Sequence, residues 1–509
     1  MDLVIGSGPA GVSAAMALIA RGREVTMIDG GRDLPEALLA RKQGMASCEP
    51  SEWTTQQVAD WQSPQFEKSG DGARRYGSDH AQNDIDDGFA PAPWFAGRSS
   101  FAVGGLSNVW GSAVLPNRQA DLSKWPITSA DLAPHYKAVG AFMPIAGRVD
   151  TLQAPLPDFD MSAQTPLSPG PQGRALLERF DAKAEKLRTR GVYAGQARQA
   201  VRADCKLCGM CLHGCPWDKI YSAGQTLQAL QASPRFHYRA GHIAVRFEAD
   251  DGAGNVMFGD GGKLAFDRLF IASGVYETAR LVLASQSDQH AHLTLRDSRH
   301  FFLPMLHAWR SGSDPSKRPH HTLAEAFVEM DDPTVSPYLT HTQIYGWNEF
   351  YAREMIQNYG SKLPALGPFF RTLARRLMVA QSFIHSDHCD TVDLSLDQAT
   401  GKLKTSLNRD PLMPSIIKAV EHKLMRSMRQ VGLHGLGFAS RLGAPGASFH
   451  SGGTLPMSNE PRALQTDPLG RLNGYNNVHI VDASVLPSIP ATTITFSVMA
   501  NAHRIASLV

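Results

Sequence analysis

The opening stretch MDLVIGSGPAGVSAAMALIARGREVTMIDGG constrains the fold more than any other part of the chain. Residues 3–5 read as a short apolar strand, and Gly6, Gly8 and Gly11 follow at the spacing G-x-G-x-x-G. The first glycine permits the tight turn, the second lets backbone approach a pyrophosphate, and the third lets helix and strand pack closely. Val12, Ala15, Met16 and Ile19 then recur at i, i+3, i+4 and i+7, one apolar face of a helix. A second strand over 24–28 ends at Asp29, 18 residues after Gly11, where a carboxylate accepts hydrogen bonds from a ribose hydroxyl. The pattern predicts a βαβ unit that binds a dinucleotide, and it does not by itself choose between FAD and NAD.

A second constraint sits mid-chain in CKLCGMCLHGCP. Cys205, Cys208, Cys211 and Cys215, followed by Pro216, match the bacterial ferredoxin spacing C-x2-C-x2-C-x3-C-P. Short loops let several thiolates converge on one iron cluster, and Gly209 and Gly214 leave the backbone free to turn around it. Zinc sites usually draw on two well-separated pairs, and buried thiols without metal are the bland alternative. The sequence has no second such run, so either Cys215 closes a 4Fe–4S cluster or three cysteines hold a 3Fe–4S cluster. Cys48 and Cys389 are isolated and read as buried free thiols.

The rest of the 509 residues supports two or three domains. Lys plus Arg total 50 against 48 Asp plus Glu, so charge gives no reason to invoke nucleic acid or an anionic membrane surface. No uninterrupted apolar run reaches the roughly 18 residues of a membrane span. The N-terminus lacks a basic region ahead of its apolar stretch and reads as folded structure rather than an export signal. That points to the cytoplasm, with export alongside a signal-bearing partner left open. Residues 32–100 read as a polar excursion, in the manner of a lid. HHTLAEAFVEM and YLTHTQIYGWNEFY alternate like sheet strands, and the latter offers Tyr345, Trp347 and Phe350 either to a sugar face or to the sheet core.

GGLSNVWG (104–111), FIASGVYETARLVLAS (270–285), SFHSGGTLPM (448–457) and NNVHIVDASVLP (476–487) follow the N-terminal fingerprint in that order. Together they resemble the glucose–methanol–choline family of FAD oxidoreductases. The resemblance implies an α/β fold: a discontinuous Rossmann-like FAD-binding domain (1–150, 236–290 and 446–509), an inserted sheet-and-helix substrate domain (291–445), and a cysteine-rich cluster segment (151–235). It also implies oxidation of an alcohol, often on a sugar. Carried over by position, Gly104, Gly105, Ser107 and Asn108 line the flavin, Gly274 lies towards the adenine, and Asp482 and Ala483 approach the flavin phosphate and ring edge. Some relatives attach FAD through a histidine in the first of these loops. The matching residue here is Val109, which has no nucleophile, so non-covalent FAD is expected.

His450 sits in the family's H-x-x-G-T pattern, which implies that it takes the hydroxyl proton as the carbinol carbon gives up hydride. An imidazole with an ordinary pKa of about 6.5 suits that task near neutral pH. The family's second His or Asn falls at Thr493, whose hydroxyl can donate a hydrogen bond but cannot act as a base near pH 7. His503, in the last helix, reads as structural. The cysteine run resembles a subgroup of bacterial membrane-linked sugar dehydrogenases, in which a cluster passes electrons from reduced flavin to a cytochrome and a small accessory subunit accompanies the enzyme. Two other readings stay open. One is a reductase fed by a ferredoxin, since no second G-x-G-x-x-G offers an NAD(P)H site. The other is a weakly catalytic or structural flavoprotein.

Overall fold

The computed structural model describes residues 1–62, 79–82, 88–250, 252–309, 319–349 and 372–509, and Phe350 lies outside them. Its fold is mixed α/β, as the sequence implies. A five-stranded parallel sheet runs in the order Val478–Ile480, Arg268–Ile271, Asp2–Ile5, Val25–Ile28, Phe236–Arg239. It therefore draws strands from four separated regions of the chain. Asp2–Ile5 is central and buried along its whole length, the usual state of a strand covered on both faces. At the edge of the sheet Arg268 and Arg23 bond the Asp2 carboxylate, tying three strands together. Burial alone would raise the Asp2 carboxyl, and the two guanidinium groups more than offset that.

Helix Pro9–Ala20 begins with proline at its first turn, where a missing N–H costs nothing. It packs on the closing helix Thr495–Leu508, whose Met499 carbonyl accepts from the buried Ser13 hydroxyl at 2.7 Å. The two ends of the chain thus share one core. Among the described residues no helix is long and apolar enough to cross a membrane.

A seven-stranded antiparallel sheet forms the second layer. Its order is Leu433–Gly435, His300–His307, Leu377–Phe383, Thr340–Tyr345, Ala324–Met330, Val192–Gln196, with Arg441–Leu442 pairing alongside His300–His307. Val192–Gln196 and the preceding helix Pro171–Arg188 come from the stretch read as the cluster segment, so that stretch is shared with the antiparallel layer. One face of this sheet packs Met378, Ala380, Ile344 and Val328 against the helices Pro171–Arg188 and Met413–Met428. The opposite face carries His341, Gln343 and Tyr345, which alternate with that core face along their strand.

The first described part of the excursion after residue 32 packs beside the cysteine loop. Helices Glu36–Ala46 and Thr55–Gln62 pack on the cysteine loop through Met45, Trp61 and Met210. Trp53 stacks on Trp217 with ring centres 5.4 Å apart, and Trp61 Nε1 donates to the Gly214 carbonyl at 3.3 Å. Among its described residues, Arg98, Ser99 and Ser100 line the cleft described next, followed there by Phe101 and Ala102.

Candidate active site

One cleft runs along the carboxyl ends of the parallel strands, where open α/β sheets bind ligands. Gly6, Gly8, Asp29, Gly105, Gly274, Asp482 and Ala483 all line it. Gly6 has φ +100°, and a Cβ there would lie 2.4 Å from the Ala272 carbonyl oxygen. A Cβ on Gly11 would meet the Gly6 carbonyl oxygen at 1.9 Å, so Gly11 packs behind the cleft rather than lining it. Gly8 faces open space at the start of the Pro9–Ala20 helix, whose unpaired N–H groups favour a phosphate. Asp29 accepts from the Ser7 hydroxyl and, at 2.6 Å, from Tyr238. Burial pushes its carboxyl up, against the pull of these hydrogen bonds.

Gly104, Ser107 and Asn108 brace the flavin loop instead of lining the cleft. The Gly104 N–H donates to Ser7 Oγ at 3.0 Å. Ser107 accepts from the Ala223 N–H at 2.8 Å, and the Asn108 amide donates to the carbonyls of Val103 and Gly105. The Asp482 carboxylate is occupied by the Gly274 N–H, the Thr278 hydroxyl and the Ser484 N–H, so it clamps two of the sheet's connecting turns together. Turn, helix start and carboxylate fit FAD, and the buried Val109 offers no bond to it.

His450 lies between Phe449 and Ser451, both of which line the cleft, and is not itself among the lining residues. Its loop hangs on one buried carboxylate. Asp297 accepts from the Gly446 N–H at 2.8 Å, from the Ser448 hydroxyl, and from the Ser451 hydroxyl at 3.1 Å. The His450 N–H donates to Ser448 Oγ, and its carbonyl accepts from the Ser298 N–H, both at 3.0 Å. Removing this carboxylate leaves three donors unanswered, and shifts of about 1 Å in a catalytic group cost on the order of 10²-fold in rate. Asp297→Ala is therefore expected to slow flavin reduction by about 10²-fold with FAD still bound. Anaerobic stopped-flow absorbance checks this, and an unchanged rate would remove Asp297 from the positioning role.

The His450 ring stacks on Phe383, with centres 4.5 Å apart and planes 24° from parallel. The residue is part-exposed, yet the surrounding protein desolvates the ring, and this burial, aided by His341, lowers its pKa to about 3. The imidazole is neutral throughout the ordinary pH range and ready to accept a proton. Flavin reduction should then stay level from pH 8 to pH 5 and fall only towards about pH 3. An acid limb centred near the ordinary imidazole value of about 6.5 would contradict this.

Thr493 is buried, and its hydroxyl has no partner among the described residues. The neighbouring Thr492 donates to Asn117 Oδ1 at 3.0 Å, which brings a side-chain amide to this corner. His503 bonds His135 at 2.9 Å, in keeping with a structural part. Asp297, Phe383 and His341 were not read from the sequence. For His341 the available signal was the polar alternation of His341 and Gln343 within a strand that is buried along its whole length.

The four cysteines form one loop in which left-handed turns fall at Leu207, Gly209 and Gly214. Every sulfur accepts a backbone N–H: Cys205 from Leu207, Cys208 from Met210, Cys211 from Thr322 at 3.5 Å, and Cys215 from Lys219 at 3.3 Å. Such bonds favour thiolate over thiol. Even so, among the described residues no group of three or more His, Cys, Asp or Glu side chains is arranged to hold a metal ion. The expected ligand set is not assembled. Burial raises the thiols of Cys205, Cys208 and Cys211, that of Cys208 to about 12. The donor chemistry suits an iron–sulfur cluster, while the arrangement is not yet that of ligands.

Residues 438–502 match the family model described as GMC oxidoreductase. The chain is 23% identical to the 6'''-hydroxyparomomycin C oxidase of Streptomyces lividus, over 98% of this chain and 89% of that protein. The solved structure of pyridoxine 4-oxidase from Mesorbium loti superposes with a TM-score of 0.61 at 14% identity, covering 99% of this chain and 98% of the other.

Proposed function

We propose, on the premise that this chain is a GMC-type FAD oxidoreductase acting on CH–OH groups, that it oxidises an alcohol on a sugar or similar polyhydroxy compound. The observation that carries the reading is the neutral His450, fixed by Asp297 beside the dinucleotide cleft. FAD, when bound, supplies the hydride acceptor. The protein's share is to take the hydroxyl proton on the His450 ring, to hold that ring against Phe383, and to keep bulk water from it. Likeness to the 6'''-hydroxyparomomycin C oxidase supports a hydroxyl-bearing, sugar-like substrate. The test is a screen of sugars and glycosides with FAD-loaded protein. A product lighter by two hydrogens is expected, and no carbonyl product from any alcohol would overturn the reading.

The finer reading is a cysteine loop that takes up an iron–sulfur cluster, with a cytochrome or ferredoxin as external acceptor. Support comes from the N–H donors on all four sulfurs and from chain continuity. Tyr221 is six positions on from Cys215, a reach of at most about 21 Å. The Tyr221 carbonyl accepts from Trp110 at 2.8 Å, and Ala223 bonds Ser107, so this segment leads directly to the flavin loop. Anaerobic reconstitution with iron and sulfide should give stoichiometric cluster and a paramagnetic signal on reduction, both lost in Cys211→Ser. Trace iron, or zinc taken up in its place, would end the cluster reading and leave alcohol oxidation standing.

A further inference from the structure

The acid expected at the ribose and the loop expected at the flavin share one hydroxyl group. Asp29 ends the second strand, where a ribose hydroxyl is received, and it lines the cleft together with Ser7 and Gly105. Ser7 is 2% exposed, and its side chain has two partners. It donates to Asp29 Oδ2 and accepts the Gly104 N–H at 3.0 Å. Tyr238 donates to the other oxygen, Asp29 Oδ1, at 2.6 Å, and the N–H groups of Gly31 and Ser7 also bear on this carboxylate. A ribose hydroxyl given to Asp29 joins this same set of bonds. Whatever fixes the carboxylate therefore fixes Ser7, and through Ser7 it fixes Gly104.

Two further ties run the same way. The Arg32 N–H donates to the Phe101 carbonyl and the Val103 N–H to the Arg32 carbonyl, both at 3.0 Å, so the entry to the flavin loop is laced onto the stretch that follows Asp29. A Cβ on Gly105 would lie 3.4 Å from the Gly8 Cα, which sets the loop against the helix start that favours a pyrophosphate. Gly104 and Gly105 both turn left-handed, with φ +82° and +59°. Two successive glycines have the widest choice of conformations, and holding them in one costs conformational entropy. Ala223 holds the far side of this turn through Ser107, and Ser7 holds the near side.

We infer that Ser7 is a positioning residue: by joining Asp29 to Gly104 it lets the adenosine half of FAD order the loop that receives the flavin half. This rests on the FAD reading and goes beyond it, because it makes the two halves of one cofactor bind with positive coupling. Ordering done by one half need not be done again by the other. Linkage makes the effect mutual, so the flavin half tightens the adenosine half by the same factor. A part is also given to the residue between the first two glycines of the turn, a position that G-x-G-x-x-G leaves open.

The test uses ADP and riboflavin as the two halves, on full-length protein stripped of flavin. Riboflavin affinity, read from the quenching of its fluorescence, should rise about tenfold in saturating ADP, and in Ser7→Ala the gain should fall below about twofold. Tyr238→Phe removes a bond to Asp29 but leaves Ser7 in place, so it should keep the gain. Hydrogen exchange over residues 101–108 reads the loop directly: ADP alone should slow it about tenfold in wild type and leave it unchanged in Ser7→Ala. If Ser7→Ala fails to fold, wild type decides, because no gain in riboflavin affinity and unchanged exchange with ADP would overturn the coupling. A gain that persists in Ser7→Ala would come from direct contact between the two ligands and would overturn the part given to Ser7. Protein that binds FAD without coupling its halves sinks this inference alone. Protein that binds neither FAD nor ADP sinks the FAD reading with it.

Discussion

Replacing His450 with alanine is expected to slow flavin reduction by about 10³-fold while FAD stays bound. The ring supplies the acceptor for the hydroxyl proton, and its low basicity keeps it neutral and available at every working pH. Thr493 offers only a hydroxyl, and both ring nitrogens of His341 are engaged, with Glu329 and Gln343. Thr493→Ala should accordingly cost less than about tenfold. The loop fold should survive in His450→Ala, because Asp297 holds it through Gly446, Ser448 and Ser451 rather than through the imidazole. Single-turnover reduction by a sugar substrate is the measurement. A His450→Ala rate within about tenfold of wild type would remove the ring from proton transfer.

The second large effect concerns the glycines of the dinucleotide turn, which look alike in sequence and differ in space. Gly11→Ala sets a methyl group 1.9 Å from the Gly6 carbonyl oxygen, a backbone atom that cannot swing away. The turn must open, and with it the junction of the first strand, the Pro9–Ala20 helix and Ala272. The expected product is a poorly folded apoprotein with no measurable FAD. A methyl group at Gly8 meets no protein atom within 4 Å. Gly8→Ala should fold normally and lose FAD affinity, because its methyl group enters the space a pyrophosphate takes at the helix start. Melting curves and bound-flavin absorbance separate the two outcomes. Equal stability and equal FAD content in both variants would contradict this account of the turn.

The contrast shows what kind of information the sequence carries. The dinucleotide turn was legible because strand, turn, helix and acid lie within 29 residues, and local chemistry fixes their geometry. The flavin loop was legible as a motif, but the parts played by its side chains were not. Ser107 and Asn108 turn inward because Ala223, Val103 and Gly105 supply partners that no local pattern announces. Asp297 and Ser448 stand 151 residues apart, so the brace of the His450 loop exists only once the strands have paired. Glu329 and His341 meet across a strand pair in the same way.

The excursion after residue 32 shows the same limit. Trp53 and Trp61 pack around the cysteine loop, a placement that no local pattern announces. The cysteine spacing itself was plain. What spacing does not fix is whether the four side chains approach to ligand distance, and among the described residues they do not.

The central claim is that this cleft, with His450 beside it, removes hydride and proton from an alcohol. It is tested most directly by mixing FAD-loaded protein anaerobically with a sugar alcohol and with the same alcohol deuterated at the carbinol carbon. The account predicts bleaching of the oxidised flavin band, measurably slower with the deuterated substrate and level between pH 5 and 8. A flavin band that dithionite bleaches but no alcohol changes would contradict it.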